Sequence, residues 1–256
     1  MKVWTVVNQK GGVGKTTTSI SIAGSLCALG YKVLLVDLDP HASLTHYLGV
    51  DADNLTVSLY EVFMQNPSKD FDINNALHTT KVDNLILLPS HIALATLDKS
   101  FGNSPGKGLV IKNALSALAN DFDFVIIDCP PVLGVLMVNG LVAADKILIP
   151  TQTEHLALRG LARMLKTIEQ LSSSLKADAS VMIIATLFDR RVNACLLAYS
   201  NMRSVYKGLI WRGYIPVDTK FRDASYEGVP VNILASQCRG AFAYDKLTNE
   251  LLKNVV

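Results

Sequence analysis

The chain has 256 residues; half are hydrophobic, 18% are charged, and the formal net charge is +2 at pH 7. This composition excludes a disordered chain and supports a large buried core. No apolar run approaches the ~20 residues that span a membrane, and no signal-peptide pattern follows Met1. The four cysteines include no C-x-x-C pair, so we expect reduced thiols and a cytoplasmic location. The length allows one α/β domain or two small ones, and we expect one domain over residues 1–256.

A glycine-rich segment near the start is the strongest signal in the sequence. Residues 8–18 read NQKGGVGKTTT, after the apolar run Val3–Val7 and before a helical pattern over residues 20–29. Strand, glycine-rich turn and helix predict a phosphate-binding loop, because backbone N–H groups and a helix N-terminus attract polyphosphate. Lys15 is predicted to contact the β- and γ-phosphates, and Thr16 to ligate Mg²⁺. The other predicted nucleotide contacts in this loop are Lys10, Gly11, Gly12, Val13, Gly14 and Thr17.

Two further apolar runs end in aspartate. Residues 33–36 precede Asp37 and Asp39, and residues 124–127 precede Asp128. Open α/β sheets bind ligands at the carboxyl ends of their strands, so all three carboxylates are expected near the loop. Asp128 is predicted to meet Mg²⁺ as a Walker B carboxylate. Asp39 is predicted to hold Mg²⁺ or orient the attacking water, with Asp37 behind it; the alternative for both is an Asx turn that caps the next segment.

Strand and helix patterns alternate along the rest of the chain. This alternation predicts a single doubly wound, mostly parallel sheet with helices on both faces. Residues 51–84 are predicted as peripheral helix and loop, and residues 100–108 as a turn-rich loop. The remaining predicted strands are 85–88, 146–150 and 181–185, and the remaining helices are about 109–119, 155–175, 194–208 and 241–256.

The loop departs from the common G-x-x-x-x-G-K-[ST] pattern. Gln9 replaces the first glycine, and a second lysine, Lys10, precedes the other glycines. This K-G-G-x-G-K-[ST] loop, with V-D-x-D-P at residues 36–40 and I-I-D-x-P-P at 126–131, resembles the deviant Walker A ATPases of the ParA/MinD/nitrogenase-iron-protein group. The resemblance implies a P-loop NTPase fold that binds ATP, ADP and Mg²⁺.

The same resemblance implies a mechanism. Family members hydrolyse ATP and form a homodimer when ATP is bound. Their first lysine, here Lys10, crosses the dimer interface to the partner's nucleotide. On this basis the expected catalytic residues are Lys10, Lys15 and Asp39.

Basic residues are more frequent near the C-terminus. From Thr186 onward there are ten Lys and Arg against six Asp and Glu. Residues 214–224 resemble a family segment that binds DNA nonspecifically, although Val217 stands where that segment often has Arg; the same resemblance assigns Pro216 to the nucleotide site. A solvated basic surface and a protein-partner face are the alternatives. The candidate DNA contacts are Arg191, Lys220 and Arg222.

Shorter patterns narrow the resemblance. Residues 39–44 and 134–139 are similar to the ParC-type ParA-like ATPases encoded with chemotaxis genes, which implies positioning of chemoreceptor arrays at a cell pole through a scaffold protein. One alternative is a plasmid or chromosome partitioning ATPase that moves on nucleoid DNA; another is a metabolic P-loop ligase or kinase. The final helical segment has only Lys246 and Lys253 as basic residues, so no direct membrane anchor is expected.

Overall fold

One sheet of seven strands organises the part of the chain that this computed structural model describes, residues 1–64, 72–101, 106–176 and 178–253. The strand order is β3-β4-β2-β5-β1-β6-β7, and every neighbouring pair is parallel except β3 with β4. The prediction of a doubly wound, mostly parallel sheet is therefore confirmed. The strands are β1 (Lys2–Val6), β2 (Val33–Asp37), β3 (His78–Thr79), β4 (Leu85–Leu88), β5 (Phe124–Asp128), β6 (Lys146–Gln152) and β7 (Ser180–Thr186).

Helices cover both faces of the sheet. None of those within the described ranges is long and apolar enough to cross a membrane. The α-helices are α1 (Lys15–Ala28), α2 (Ser43–Tyr47), α3 (Leu59–Met64), α4 (Leu97–Phe101), α5 (Val110–Ser116), α6 (Val135–Ala143), α7 (His155–Gln170), α8 (Asn193–Val205), α9 (Lys220–Glu227), α10 (Val231–Leu234) and α11 (Arg239–Leu252). Short 3₁₀ helices lie at Ala52–Asn54, Ile73–Ala76, Ile92–Thr96, Lys107–Leu109 and Ser172–Ser174.

The central strand β2 shows why the apolar runs lack alternation. Val33 and Leu35 pack into the core that also contains residues of α1 and α11, whereas Leu34 and Val36 pack into the core on the opposite face. All four side chains are fully buried. A strand covered on both faces has no solvent side, so its sequence is continuously hydrophobic.

The register aligns the strand ends that carry the predicted site. Asp128 of β5 pairs with Val6 of β1 on one side and with Asp37 of β2 on the other. The glycine-rich loop continues directly from β1, so it lies beside both carboxylates. Parallel pairing thus gathers residues that are 91 and 122 positions apart in the sequence.

Several element boundaries differ from the predictions. Helix α1 begins at Lys15 rather than near residue 20, because its polar first turn, in which Lys15 and Thr18 are buried, carries no apolar period. The edge strand β3 lies in a region predicted as helix and loop, and α9 and α10 were not predicted. Within the predicted loop at 100–108, residues 102–105 lie outside the described ranges, as do the last three residues of the predicted C-terminal helix.

Candidate nucleotide-binding site

The loop between β1 and α1 presents its backbone to an open cavity. Gly12 and Gly14 have φ of 72° and 87°, a left-handed conformation that favours glycine. A Cβ placed on Gly11, Gly12 or Gly14 meets no heavy atom within 4 Å. The cavity beside the loop measures about 480 Å³. Its lining residues include Gly11, Gly12, Gly14, Lys15, Thr16, Thr17, Asp39, His41, Ser43, Pro131 and Leu187.

Seven consecutive backbone N–H groups, from Gly11 to Thr17, donate to no acceptor among the described residues. The last three belong to the first turn of α1, where helical N–H groups have no intrahelical partner. Buried or clustered N–H groups of this kind require an acceptor, and the positive end of the helix dipole adds to their attraction for anions. The loop therefore has the donor groups that a polyanion requires.

Distant side chains hold the loop in this shape. Asn8 donates to the Pro150 carbonyl at 2.8 Å and accepts from the Lys10 N–H at 3.0 Å. Thr186, at the end of β7, donates to the Val13 carbonyl at 2.8 Å. Sequence reasoning missed both tethers, since each joins residues more than a hundred positions apart and neither residue type signals such a bond.

The two lysines of the loop have different environments. Lys15 is 8% exposed, and its ammonium donates to the Lys10 carbonyl at 3.2 Å across the loop. The Lys10 side chain instead forms an ion pair with Glu154, and its ammonium donates a second hydrogen bond to Gln152 at 3.4 Å. Lys15 is thus placed to face a phosphate bound in its own loop, whereas Lys10 is half-exposed beside the start of α7.

Asp128 lies directly under the loop. It accepts from the Thr16 hydroxyl at 2.7 Å and from the Ser19 hydroxyl at 3.0 Å. Burial raises the pKa of Asp128 to about 6, against the opposing effect of these hydroxyls and of the Lys15 charge. The carboxylate pairs with the hydroxyl that was predicted to ligate Mg²⁺.

Asp37 is in the protein interior. It accepts from the Thr45 N–H and hydroxyl at 2.9 and 2.7 Å and from the Asp39 N–H at 3.1 Å. Burial, with a further contribution from the Asp128 charge, raises the pKa of Asp37 to about 8. Asp37 therefore acts as an internal tie between β2 and α2, closer to the Asx-turn alternative than to a metal-binding role.

Asp39 faces the cavity. Its side chain is 15% exposed and accepts from the backbone N–H and the ring Nδ1 of His41, at 3.0 and 2.8 Å. Ser90 donates to the Asp39 carbonyl at 2.6 Å and fixes the backbone at this point. The Asx turn is present, and one carboxylate oxygen, Oδ2, remains without a partner in the described structure, so both interpretations of Asp39 stay compatible with its geometry.

The remaining predicted residues are not among those that line the cavity. Pro216 forms an isolated parallel bridge with Phe188, the neighbour of the cavity-lining Leu187, and is not itself among the lining residues. Arg191 makes a bidentate ion pair with Asp189, with its shortest contact at 2.7 Å. The sequence pattern of basic residues predicted neither this ion pair nor the one that Lys220 forms. Lys220 is paired with Asp223 at 2.7 Å, and Arg222 is exposed.

The donor groups fit a magnesium–nucleotide complex. The unpaired N–H groups and the glycine backbone suit phosphate oxygens, and Thr16 with Asp128 supplies the hard oxygen ligands that Mg²⁺ prefers. No cluster of three or more His, Cys, Asp or Glu suited to a metal ion occurs within the described ranges. A magnesium ion here would depend on phosphate oxygens and water for its remaining ligands.

Comparison with known proteins agrees with this geometry. A family model described as an AAA domain (AAA_31) matches residues 1–181. The chromosome-partitioning ATPase Soj of Treponema pallidum is 35% identical, covering 98% of this chain and 97% of its own. The chromosome partitioning protein ParA of Myxococcus xanthus is 34% identical over 97% of this chain and 87% of its own.

The chain belongs to the ParA/MinD family of ATPases. A solved structure from Mycobacterium smegmatis, described as cobyrinic acid a,c-diamide synthase with a bound ATP analogue and magnesium, has a TM-score of 0.85 and 37% identity. The match covers 99% of this chain and 95% of that one. ParA/MinD membership accounts for the deviant loop and for its position beside β5, and the predicted family is confirmed at this level.

Proposed function

We propose that the chain hydrolyses ATP to ADP and phosphate and uses the ATP-bound state as a dimerising switch that partitions or positions a cellular cargo. The observation that carries this proposal is the run of seven unpaired N–H groups above the Thr16–Asp128 pair. A loop with this donor set selects a polyphosphate, and a hydroxyl–carboxylate pair below it selects a hard cation.

Each residue of the site has a distinct part in this mechanism. Lys15 turns its ammonium from the Lys10 carbonyl to the phosphate oxygens, where positive charge stabilises the transition state. Thr16 and Asp128 would hold Mg²⁺, and the ion would supply positive charge to neutralise the phosphate oxygens. The free Oδ2 of Asp39 accepts a hydrogen bond from the attacking water and orients it.

Lys10 and the partner subunit complete the switch. The Lys10 ammonium lies at the start of the loop and is paired with Glu154 of its own subunit. In the dimer, a phosphate of the nucleotide bound to the partner subunit would replace Glu154. An isologous dimer brings both lysines to both nucleotides at once. Dimerisation then depends on the γ-phosphate, and hydrolysis releases the partner.

Two observations favour two different cargoes. Similarity to proteins named for chromosome partitioning favours a DNA-associated cargo and a location on the nucleoid. The short patterns at residues 39–44 and 134–139 favour chemoreceptor arrays held at a cell pole by a scaffold protein. Imaging of the tagged protein, with capture of partners by an ATP-trapped variant, separates these two cargoes.

A metabolic ligase is the competing class, since the Mycobacterium smegmatis structure carries the name of an amide synthase. A ligase couples ATP cleavage to its acceptor substrate, whereas a switch ATPase turns over ATP without one. Measurable turnover of ATP by the protein alone, with no product other than ADP and phosphate, supports the switch. Turnover that requires an amide-forming substrate would replace it with the ligase.

The phosphate loop itself is tested by Lys15→Ala. Removal of this ammonium is expected to weaken ATP binding by about tenfold to a hundredfold, because a charge-assisted hydrogen bond is worth about 1.5–3 kcal/mol. Calorimetric titration with Mg-ATP measures the change. The exposed Lys166→Ala, on α7, is the matched control, and equal ATP affinity in both variants would contradict the assigned loop.

A further inference from the structure

A second cavity, of about 440 Å³, lies at the end of the sheet where the strands begin, opposite the end that carries the nucleotide loop. The first residues of three neighbouring strands line it: Lys2 of β1, Lys146 of β6 and Ser180 of β7. The nucleotide loop follows the carboxyl end of β1, so the two cavities are separated by the length of the strands. This amino-edge cavity has the volume of a small-molecule site, since such sites measure roughly 300–1,000 Å³.

Lys146 is the unusual residue in this cavity. It is 8% exposed, and its ammonium has neither a hydrogen-bond acceptor nor an ion-pair partner among the described residues. Burial lowers the pKa of Lys146, because the ammonium loses hydration. The ammonium opens onto the cavity without a partner and is only partly hydrated, so an anion beside it would offset part of the desolvation cost.

The neighbouring charges specify how much negative charge the cavity accepts. Asp145 is already neutralised by Lys176, at 2.6 Å, and also accepts from the Val3 N–H at 2.7 Å. The remaining charged groups are Lys2, Lys146 and the exposed Asp178, which leaves one positive charge in excess. A monoanion balances this excess, whereas a phosphate dianion would leave negative charge beside Asp178.

We propose that the amino-edge cavity binds a small organic monoanion whose carboxylate group pairs with Lys146. The Ser180 hydroxyl has no hydrogen-bond partner in the described part of the chain and supplies a second donor to the carboxylate. Trp4 and Met182 form an apolar wall for the carbon skeleton. The ligand is therefore a short aliphatic or aromatic carboxylate rather than a nucleotide or inorganic phosphate.

Trp4 provides a direct optical test. The sequence contains two tryptophans, so Trp211→Phe leaves Trp4 as the single reporter in the cavity wall. With Mg-ADP occupying the nucleotide loop, we expect acetate and butyrate to change Trp4 fluorescence saturably. Potassium chloride at the same ionic strength and inorganic phosphate are expected to produce no saturable change.

Variants at Lys146 test the assignment to this residue. Lys146→Met is expected to raise the Kd for butyrate about tenfold or more, Lys146→Arg to retain binding, and the exposed control Lys166→Met to leave the Kd unchanged. Equal binding by Lys146→Met and the parent would overturn the proposal, as would tighter binding of phosphate than of butyrate. If Trp211→Phe does not fold, NMR of the ¹³C-dimethylated lysines follows the Lys146 signal in the parent chain, with a saturable shift expected and its absence contradicting the site.

Discussion

Two aspartates at the same level of adjacent strands have acquired different roles through their neighbours. Asp128 faces two hydroxyls and the Lys15 ammonium, which oppose the effect of burial and limit the rise of its pKa. Asp37 has no cation to compensate its burial, and the Asp128 charge raises its pKa further. Both strands end in the same residue type, so only the surroundings distinguish a candidate cation ligand from an internal tie.

At Asp39 a prediction separates catalysis from capping. Asp39→Ala is expected to leave ATP binding and to slow hydrolysis by about a hundredfold, because orientation of water by a carboxylate contributes factors of this size. Asp39→Asn keeps the oxygen that accepts from the His41 N–H but loses the negative charge. A catalytic role predicts slow hydrolysis in both variants, measured as phosphate release with saturating Mg-ATP.

The capping alternative predicts a different pattern. If Asp39 serves the turn alone, Asp39→Asn hydrolyses ATP at the parent rate. Asp51 provides a matched control, since it accepts from the Asp53 N–H in the same kind of turn but lies outside the cavity. Asp51→Ala should leave hydrolysis unchanged.

Sequence patterns predicted the site only where the residues that form it are close together in the sequence. Three glycines and Lys15-Thr16 identify a phosphate loop because the backbone conformation and the ligands occur in one short segment. The tethers from Asn8 and Thr186 depend on tertiary contacts with residues of β6 and the loop. An Asn or a Thr forms such bonds in many contexts, so their sequence carries no specific signal.

At the scale of the elements, hydrophobicity predicted the buried strands well and the helix starts less well. The first turn of α1 is Lys-Thr-Thr-Thr, which has no apolar period, yet Lys15 and Thr18 are buried, and the Thr18 hydroxyl lies 2.9 Å from the Tyr244 hydroxyl of α11. Anion recognition requires this polar turn to be helical, because the N–H groups of a helix N-terminus bind the anion. The strand order and the antiparallel β3 depend on long-range pairing, which periodicity does not encode.

The start of α7 offers a prediction about the switch. Glu154 holds Lys10 within its own subunit, with side chains 32% and 40% exposed for Lys10 and Glu154. If Lys10 must leave this partner to reach a second subunit, Glu154→Gln should tighten ATP-dependent dimerisation. The gain is expected to be about two- to fivefold, because half-exposed ion pairs are worth roughly 0.2–1 kcal/mol.

Analytical ultracentrifugation with Mg-ATP measures the dimer dissociation constant for Glu154→Gln. Glu169→Gln is the control, since it removes an exposed carboxylate from the same helix. Weaker dimerisation in Glu154→Gln alone would show that Glu154 acts at the interface instead of competing with it.

At the scale of the whole molecule, charge distribution limits the proposed DNA contact. Arg191 and Lys220 must break ion pairs with Asp189 and Asp223 before they meet a phosphate, whereas Arg222 is exposed without an ion pair among the described residues. Changing all three basic residues to Glu is expected to abolish binding to random duplex DNA. Binding by the parent should fall steeply with salt, about one power of salt concentration per phosphate contact.

Fluorescence anisotropy with Mg-ATP at several salt concentrations follows this binding. The control changes Lys32, Lys112 and Lys166 to Glu, which alters net charge equally at exposed sites elsewhere. Equal loss of DNA binding in both triple variants would indicate a general charge effect. No binding by the parent at low salt would remove the DNA track from the proposed function.

The dimer is the property of the whole molecule on which the switch depends. Lys10→Ala is expected to bind Mg-ATP almost normally, because Lys15 and the unpaired N–H groups remain, but neither to dimerise nor to hydrolyse ATP. Gly11→Val is expected to block dimerisation as well. A Cβ at Gly11 meets nothing within 4 Å in the subunit, so the valine is tolerated in the monomer and its effect falls on the interface.

Sedimentation with Mg-ATP, with Mg-ADP and without nucleotide tests the whole cycle. The parent should be dimeric with ATP and monomeric in the other two states, because only the γ-phosphate offers Lys10 a stronger partner than Glu154. Both variants should stay monomeric in all three states while calorimetry still detects ATP binding. A parent that is equally dimeric in every state would contradict the switch even with each phosphate contact in place, since hydrolysis would then leave the assembly unchanged.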